Sequence, residues 1–276
     1  MFGTKENLFF NICQQLYNEY NPLKQTKELY SYLVNTFSRY SLDTSYINIE
    51  NTRKLFNDNI LKYYPNEITI KSSFVNKVLL KNNSHTSIIF ELNSGTSRVD
   101  LCKINGHSIA FEIKTDLDNF NRLNKQLNDY FRIFEKVFVI CSTKNINNII
   151  KLIPDECGIY SYHITKTGKY IFNKEREALF SSQINSKNQL LLFTKTELNN
   201  FFNIKNLLNK NDMINHILAN YDKEYINKAF KENFKTKYKK NWEFLSNNYS
   251  NILEIDYQWF FKNNIDPKLI YKKSAI

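Results

Sequence analysis

The sequence predicts an α/β fold, a mixed sheet flanked by helices, with helical regions before and after the sheet. Three runs rich in β-branched and aromatic residues stand together between residues 86 and 114, separated by short polar turns. An amphipathic helical stretch and a short apolar run follow at once, giving the order β-β-β-α-β. The chain on either side carries apolar residues at helical spacing. The expected organisation is a helical N-terminal region over 1–84 packing on the core, the sheet-bearing core over 85–173, and a helical C-terminal region over 174–276.

In the N-terminal region, Phe9, Ile12, Leu16 and Tyr20 define one helix. After Pro22, Leu29, Leu33, Phe37 and Tyr40 define a second, and Thr52 to Tyr64 reads as a third, stopped by Pro65. Ile68 to Ile70 reads as a short extended piece. Ser73 is positioned to cap a helix through Phe74, Val75, Val78 and Leu79 that stops near Asn82-Asn83-Ser84.

The strands follow as Thr86–Leu92, Ser97–Ile104 and Ser108–Lys114. Period-two alternation sets Val99 and Leu101 against Asp100 and Cys102, and Ile109, Phe111 and Ile113 against Ala110, Glu112 and Lys114. Glu112 and Lys114 therefore share a face. Whether Asp100 faces them depends on the turn. A two-residue Asn105-Gly106 turn pairs Asp100 with Phe111, whereas a three-residue Asn105-Gly106-His107 turn pairs it with Glu112. Opposed carboxylates repel unless something neutralises them, and a divalent cation does so economically. The three-residue turn is the expectation.

Asp118 is placed to cap a helix from Asn119 to about Glu135, with Phe120, Leu123, Leu127, Tyr130 and Phe134 on its apolar face. Lys136–Cys141 then reads as a buried strand. A helix over Ile146–Ile153 ending at Pro154, a strand over Gly158–Ile164, and a turn at Thr167-Gly168-Lys169 into Tyr170–Phe172 complete the core. Beyond Lys174 the expected helices are one capped by Thr196 and running through Leu198, Phe201, Phe202 and Leu207, then Asp212–Asn220, Lys223–Asn247 and Leu253–Phe261.

Composition narrows the classes of function. With 42% hydrophobic residues, 22 Phe and 18 Tyr, the chain has ample apolar surface to bury and is not disordered. No stretch approaches the roughly 18 apolar residues of a membrane span, and no signal-peptide core forms near the N-terminus, so a cytoplasmic location without membrane partners is expected. Cys13, Cys102, Cys141 and Cys157 stand far apart, as small buried thiols rather than a zinc or redox pair. Five dispersed glycines spell no phosphate-cradling loop, dinucleotide fingerprint or nucleophile elbow, and the four histidines give no H-E-x-x-H. The net charge of +11 either favours a polyanionic partner or reflects a Lys- and Asn-rich composition.

The chemical signal is Asp100, then Glu112-Ile113-Lys114 on the same hairpin. Phosphodiester hydrolysis needs charge neutralisation at the phosphate, an activated water and help for the leaving oxygen, and hard oxygen ligands hold Mg²⁺ or Mn²⁺ for this work. Asp100 and Glu112 supply such ligands, with the Ile113 carbonyl as a third. Lys114 is placed to position or activate water and to stabilise developing negative charge. A chance surface charge set is the ordinary origin of such a pattern; the hairpin register, the apolar flanks and the helix and strand that follow argue for the chemical reading.

These residues resemble the PD-(D/E)XK nuclease superfamily, whose restriction-endonuclease-like core carries Asp on its second strand and (D/E)-x-K on its third. Gln126 and Tyr130 match the Q-x-x-x-Y motif of RecB-like members, one helical turn apart, which implies contact with the lysine or with phosphate. Glu91 corresponds by position to the superfamily's upstream acid, a further metal or water ligand. The run from Ser97 to Asp100, Glu112 to Asp118, Asn121-Arg122-Leu123 and Gln126, with Ile153-Pro154 and Gly158-Ile159, is similar to an uncharacterised bacterial and phage family within it. Val99 stands where the superfamily's name has proline.

The resemblance implies an Mg²⁺- or Mn²⁺-dependent nuclease acting on DNA more readily than RNA, in defence or mobile-element biology, as a homodimer or with a protein partner. Arg98, Arg122 and Tyr130 are its candidate nucleic-acid contacts. Asp116 and Asp118 either extend the metal site or cap the following helix, capping being the preferred role. The lysines of 228–240, interleaved with Phe230, Phe234, Tyr238 and Trp242, are read as a solvated helix face over core aromatics before a nucleic-acid surface. Two alternatives stay open: a non-catalytic nucleic-acid-binding module on the same fold, and an RNase or toxin-like effector.

Overall fold

A computed structural model describes residues 4–80, 86–204 and 209–273, with side chains described for 7–80, 86–204 and 209–271. The chain divides into two compact units. One comprises 1–81, 163–171 and 243–276; the other comprises 82–162 and 172–242.

In the first unit, α1 (Thr4–Glu19), α2 (Thr26–Arg39) and α3 (Thr52–Tyr63) form where the apolar spacing places them. Ile12, Leu16, Leu29, Leu33, Phe37, Phe56 and Ile60 build their shared core. The next segment departs from expectation. α4 (Glu67–Phe74) replaces the extended piece at Ile68–Ile70, and its cap is Asn66, which accepts from Thr69 N at 3.0 Å, rather than Ser73. An Asn cap placed directly after Pro65 outweighs the β preference of Ile68, Thr69 and Ile70, and burial of the segment supplies the rest. A single π-helical turn, Val75–Leu79, extends α4. The expected stop at Asn82-Asn83-Ser84 lies outside the described residues.

The second unit is built on a six-stranded mixed sheet of order β1-β2-β3-β4-β5-β6. Its strands are β1 (Ser87–Ser94), β2 (Ser97–Asn105), β3 (His107–Lys114), β4 (Lys136–Ser142), β5 (Gly158–Ile164) and β6 (Tyr170–Arg176). β1, β2 and β3 run antiparallel in turn, whereas β4 lies parallel to both β3 and β5. The parallel pairs require crossovers, which α5 (Leu123–Phe131) and α6 (Ile146–Ile150) provide.

The β2–β3 register is the one the three-residue turn predicts. Ile104 pairs with Ser108 and Cys102 with Ala110, and Gly106 closes the turn at φ +72°. The expected alternation along β2 breaks at Asp100. Glu91, directly across on β1, has φ +58°, in the left-handed region, and the Glu91–Asp100 step is missing from the ladder. Leu92 and Val99 consequently join the same core cluster as Ile89 and Cys102, although each pair is three residues apart.

The helix after β3 is shorter than expected. Asp118 does not cap it; its carboxylate accepts from Thr115 N at 2.8 Å and closes a turn, and Asn119 accepts from Asn121 N. These side chains satisfy local backbone donors outside the helix, so α5 starts only at Leu123. Downstream, α7 (Ser186–Leu191) was not expected. α8 (Lys195–Phe202) is capped by Thr194 rather than Thr196, because Thr194 and Glu197 form a complete capping box. The expected extension of this helix to Leu207 lies outside the described residues.

α9 (Lys210–Asn220) and α10 (Lys223–Asn248) follow. Leu190, Phe193, Leu198, Phe202, Ile217, Phe230 and Phe234 pack into one cluster with the sheet and α5, so the helices of 186–242 share the sheet's core. Within the first unit, α11 (Tyr257–Asn263) begins after a 3₁₀ turn at Glu254–Asp256, and α12 (Pro267–Lys273) was not expected. Among the described residues no helix is long and apolar enough to cross a membrane.

Candidate active site

The site grows from the break in β1 and β2. The β2–β3 ladder runs to the Leu101–Phe111 pair, and one step further Asp100 faces Glu112 by register. There the Asp100 carboxylate replaces the backbone: its Oδ2 accepts from the Ile113 N–H at 2.7 Å. Asp100 and Glu112 are 7% and 2% exposed, so burying both carboxylates demands partners.

Glu112 has two of these partners. Its Oε1 lies 2.8 Å from Lys114 Nζ, the same-face neighbour that period-two alternation provides, and its Oε2 lies 2.7 Å from the Tyr130 hydroxyl. Lys114 Nζ also donates to Gln126 Oε1 at 3.0 Å. Gln126 and Tyr130 thus leave one turn of α5 together to grip the lysine and the glutamate, as their spacing implies. The Tyr130 hydroxyl also lies 2.8 Å from the Arg98 carbonyl, so one proton is shared between two acceptors and ties α5 to β2. Burial, with the Glu112 charge beside it, drives the Tyr130 phenol well above its usual range, and it stays a donor.

Glu91 lies on the other side of Asp100, with their carboxylate oxygens within 4.8 Å of each other. Arg98 Nε reaches Glu91 Oε2 at 2.5 Å from a side chain that is 62% exposed. Beside Lys114 a cleft of about 540 Å³ opens, lined by Lys114, Asp118, Asn119, Asn121, Arg122 and Gln126. Its single carboxylate, Asp118, is occupied by the Thr115 turn, so the side chains facing a ligand are cationic and amide.

Every candidate residue except Arg122 takes part in this connected set, and Arg122 lines the cleft. Ile113 enters through its N–H. Asp116 is turned away, accepting from Asn145 Nδ2 at 2.9 Å and from the Ser142 hydroxyl at the end of β4. Several α10 lysines are likewise engaged elsewhere. Lys231 holds Glu135 at 3.1 Å and the Gly106 carbonyl at 2.7 Å, and Lys237 pairs with Glu197, while Phe230, Phe234 and Trp242 are buried. The four cysteines are free and buried, and burial pushes the thiols of Cys13, Cys141 and Cys157 up to about 12, which removes thiolate chemistry near neutral pH.

Sequence reasoning missed the Glu91–Arg98 pair and the opposition of Glu91 to Asp100. The signal was in the first turn: a two-residue Gly95-Thr96 loop pairs Ser94 with Ser97, and counting back sets Glu91 across from Asp100.

Glu91, Asp100 and Glu112 are the residues that could offer hard oxygen donors to a divalent cation, the first two already close, and Lys114 Nζ stands 2.8 Å from Glu112. Fold and site together define an α/β protein with a buried acid–lysine cluster at a break in its sheet.

A model of the family described as Bacteriophage P4 protein cII matches residues 62–258, and the chain belongs to that family. Protein cII of Enterobacteria phage P4 is 30% identical over 106 residues, covering 38% of this chain. The chain spans about 40% of that relative's length. Among solved structures, the SPO1766 protein of unknown function from Silicibacter pomeroyi is 15% identical, covering 39% of this chain and 70% of that one with a TM-score of 0.29, a likeness too loose to bear on the fold.

Proposed function

We propose that this protein is a metal-dependent nuclease of the PD-(D/E)XK type with a restriction-endonuclease-like core, hydrolysing phosphodiester bonds in DNA. The observation that supports the reading is that Glu112, Lys114, Gln126 and Tyr130 are joined by hydrogen bonds, with Asp100 bonded to the Ile113 N–H between Glu112 and Lys114. A surface charge set has no reason to bury two carboxylates and a lysine together.

In this reading Asp100, Glu112 and Glu91, with the Ile113 carbonyl, would hold Mg²⁺ or Mn²⁺. When bound, the ion supplies Lewis acidity and lowers the pKa of water. The chain's own groups do the rest. Lys114, fixed by Glu112 and Gln126, positions the attacking water and stabilises negative charge on the phosphoryl oxygens. Tyr130 holds Glu112 in place by donating to it, without giving up its own proton. Arg122, with Asn119 and Asn121, orients the flanking phosphates along the cleft.

A cleavage panel of single-stranded, duplex and supercoiled DNA, and RNA, in Mg²⁺ and in Mn²⁺ tests this reading. DNA cleavage that EDTA removes is expected. Cleavage of RNA alone would favour the effector alternative, and nucleic-acid binding without any cleavage would favour the module.

A further inference from the structure

Glu91 is held in a backbone conformation that non-glycine residues seldom adopt, φ +58° in mid-strand, opposite Asp100 and with the two carboxylates within 4.8 Å. Two acids this close repel unless a cation stands by. Arg98 supplies one: its Nε is 2.5 Å from Glu91 Oε2, and its backbone carbonyl is gripped by Tyr130. The two ends of the pair differ sharply, because the Glu91 side chain is 7% exposed and that of Arg98 is 62% exposed. The carboxylate is built into the site, and the guanidinium reaches it from solvent on a long, movable stem.

We propose that Arg98 is a stand-in cation, occupying Glu91 while no divalent ion is bound and transferring to a nucleic-acid phosphate once the ion takes the carboxylate. The inference rests on the metal-dependent nuclease reading. Arg98 and the ion compete for one carboxylate, so each weakens the other's hold on it. A released guanidinium, anchored through its backbone beside Asp100, is a bidentate phosphate donor next to the reacting centre. Arg98 is thus a positioning residue whose contact changes with the metal state.

Arg98→Gln separates the two halves of the proposal; the substituted side chain is largely exposed, and circular dichroism with thermal unfolding verifies that the variant is folded before it is titrated. Calorimetric titration of the full chain with MnCl₂ is expected to show the variant binding roughly threefold tighter or more than the wild type, as expected when an ion pair of this kind is removed. Anisotropy of a labelled DNA oligonucleotide is expected to show weaker binding by the variant in CaCl₂ and equal binding in EDTA, where Arg98 is still on Glu91. A merely structural role would not move metal and DNA affinity in opposite directions. Equal or weaker Mn²⁺ binding by the variant, with wild-type binding intact, would overturn the inference and leave the nuclease reading standing. Unchanged DNA binding in CaCl₂ would overturn the transfer to phosphate. Absence of Mn²⁺ binding by the wild type would remove the underlying reading itself.

Discussion

Tyr130 ties three elements together through one hydroxyl, which reaches from α5 to the Arg98 carbonyl on β2 and to Glu112 on β3. It donates toward a carboxylate that is 2% exposed, so Tyr130→Phe removes a hydrogen bond to Glu112 Oε2. Loss of a hydrogen bond to a buried charge is expected to lower the unfolding free energy by about 2 kcal/mol, measurable by urea denaturation. A change within a few tenths would place the hydroxyl outside the network. Asp256, in the first unit, makes the complementary point about protons. Burial raises its carboxyl from 3.8 to about 6, although Tyr20 and Tyr271 each donate to Oδ2 at 2.8 Å. The folded chain therefore binds more protons than the unfolded chain in this window. The contribution is complete below about pH 4 and is lost as pH rises through about 6. Relative to Asp256→Asn, the wild type should lose about 2–3 kcal/mol between those limits. A parallel pH dependence in the two proteins would contradict the assignment. At this scale the sequence was informative where spacing alone decides geometry, as for Glu112 with Lys114 and Gln126 with Tyr130. It offered Arg98 as a phosphate contact but not as the partner of Glu91, and it was silent on Asp256, because these pairings depend on strand register and on chain segments far apart.

Among the elements, the β2–β3 hairpin was legible because its short turn allows two registers, and the pairing of Asp100 with Glu112 singled out the one that forms. β1 was less so: a left-handed residue at Glu91 leaves no mark in the pattern of apolar residues. The start of α5 and the conversion of Ile68–Ile70 from strand to helix follow from competing local hydrogen bonds at Asp118 and Asn66, which propensity alone does not rank. The packing of β4 on β5 offers a direct check. A Cβ on Gly158 would meet Phe138 Cε1 at 2.2 Å and the Ala178 backbone nitrogen at 2.8 Å, and the backbone has little room to yield. Gly158→Ala should therefore destabilise by about 1–3 kcal/mol in thermal or urea unfolding, and a neutral effect would show that β5 sits further from Phe138.

For the molecule as a whole, the charge of +11 is partly offset on α10, where Lys231, Lys235 and Lys237 pair with Glu135, Glu232 and Glu197. If the cleft grips phosphates, DNA affinity should fall by roughly tenfold or more between about 50 and 200 mM salt, and a flat profile would contradict that use of the charge. Membership of the Bacteriophage P4 protein cII family covers the sheet and most of the helices around it, and the chemistry must be argued from the cluster itself. The most direct measurement is cleavage of DNA in Mn²⁺ by the wild type beside Asp100→Ala, Glu112→Ala and Lys114→Ala. The account predicts activity in the wild type, its removal by EDTA, and its loss by about a hundredfold or more in each variant. Undiminished cleavage by all three would contradict it.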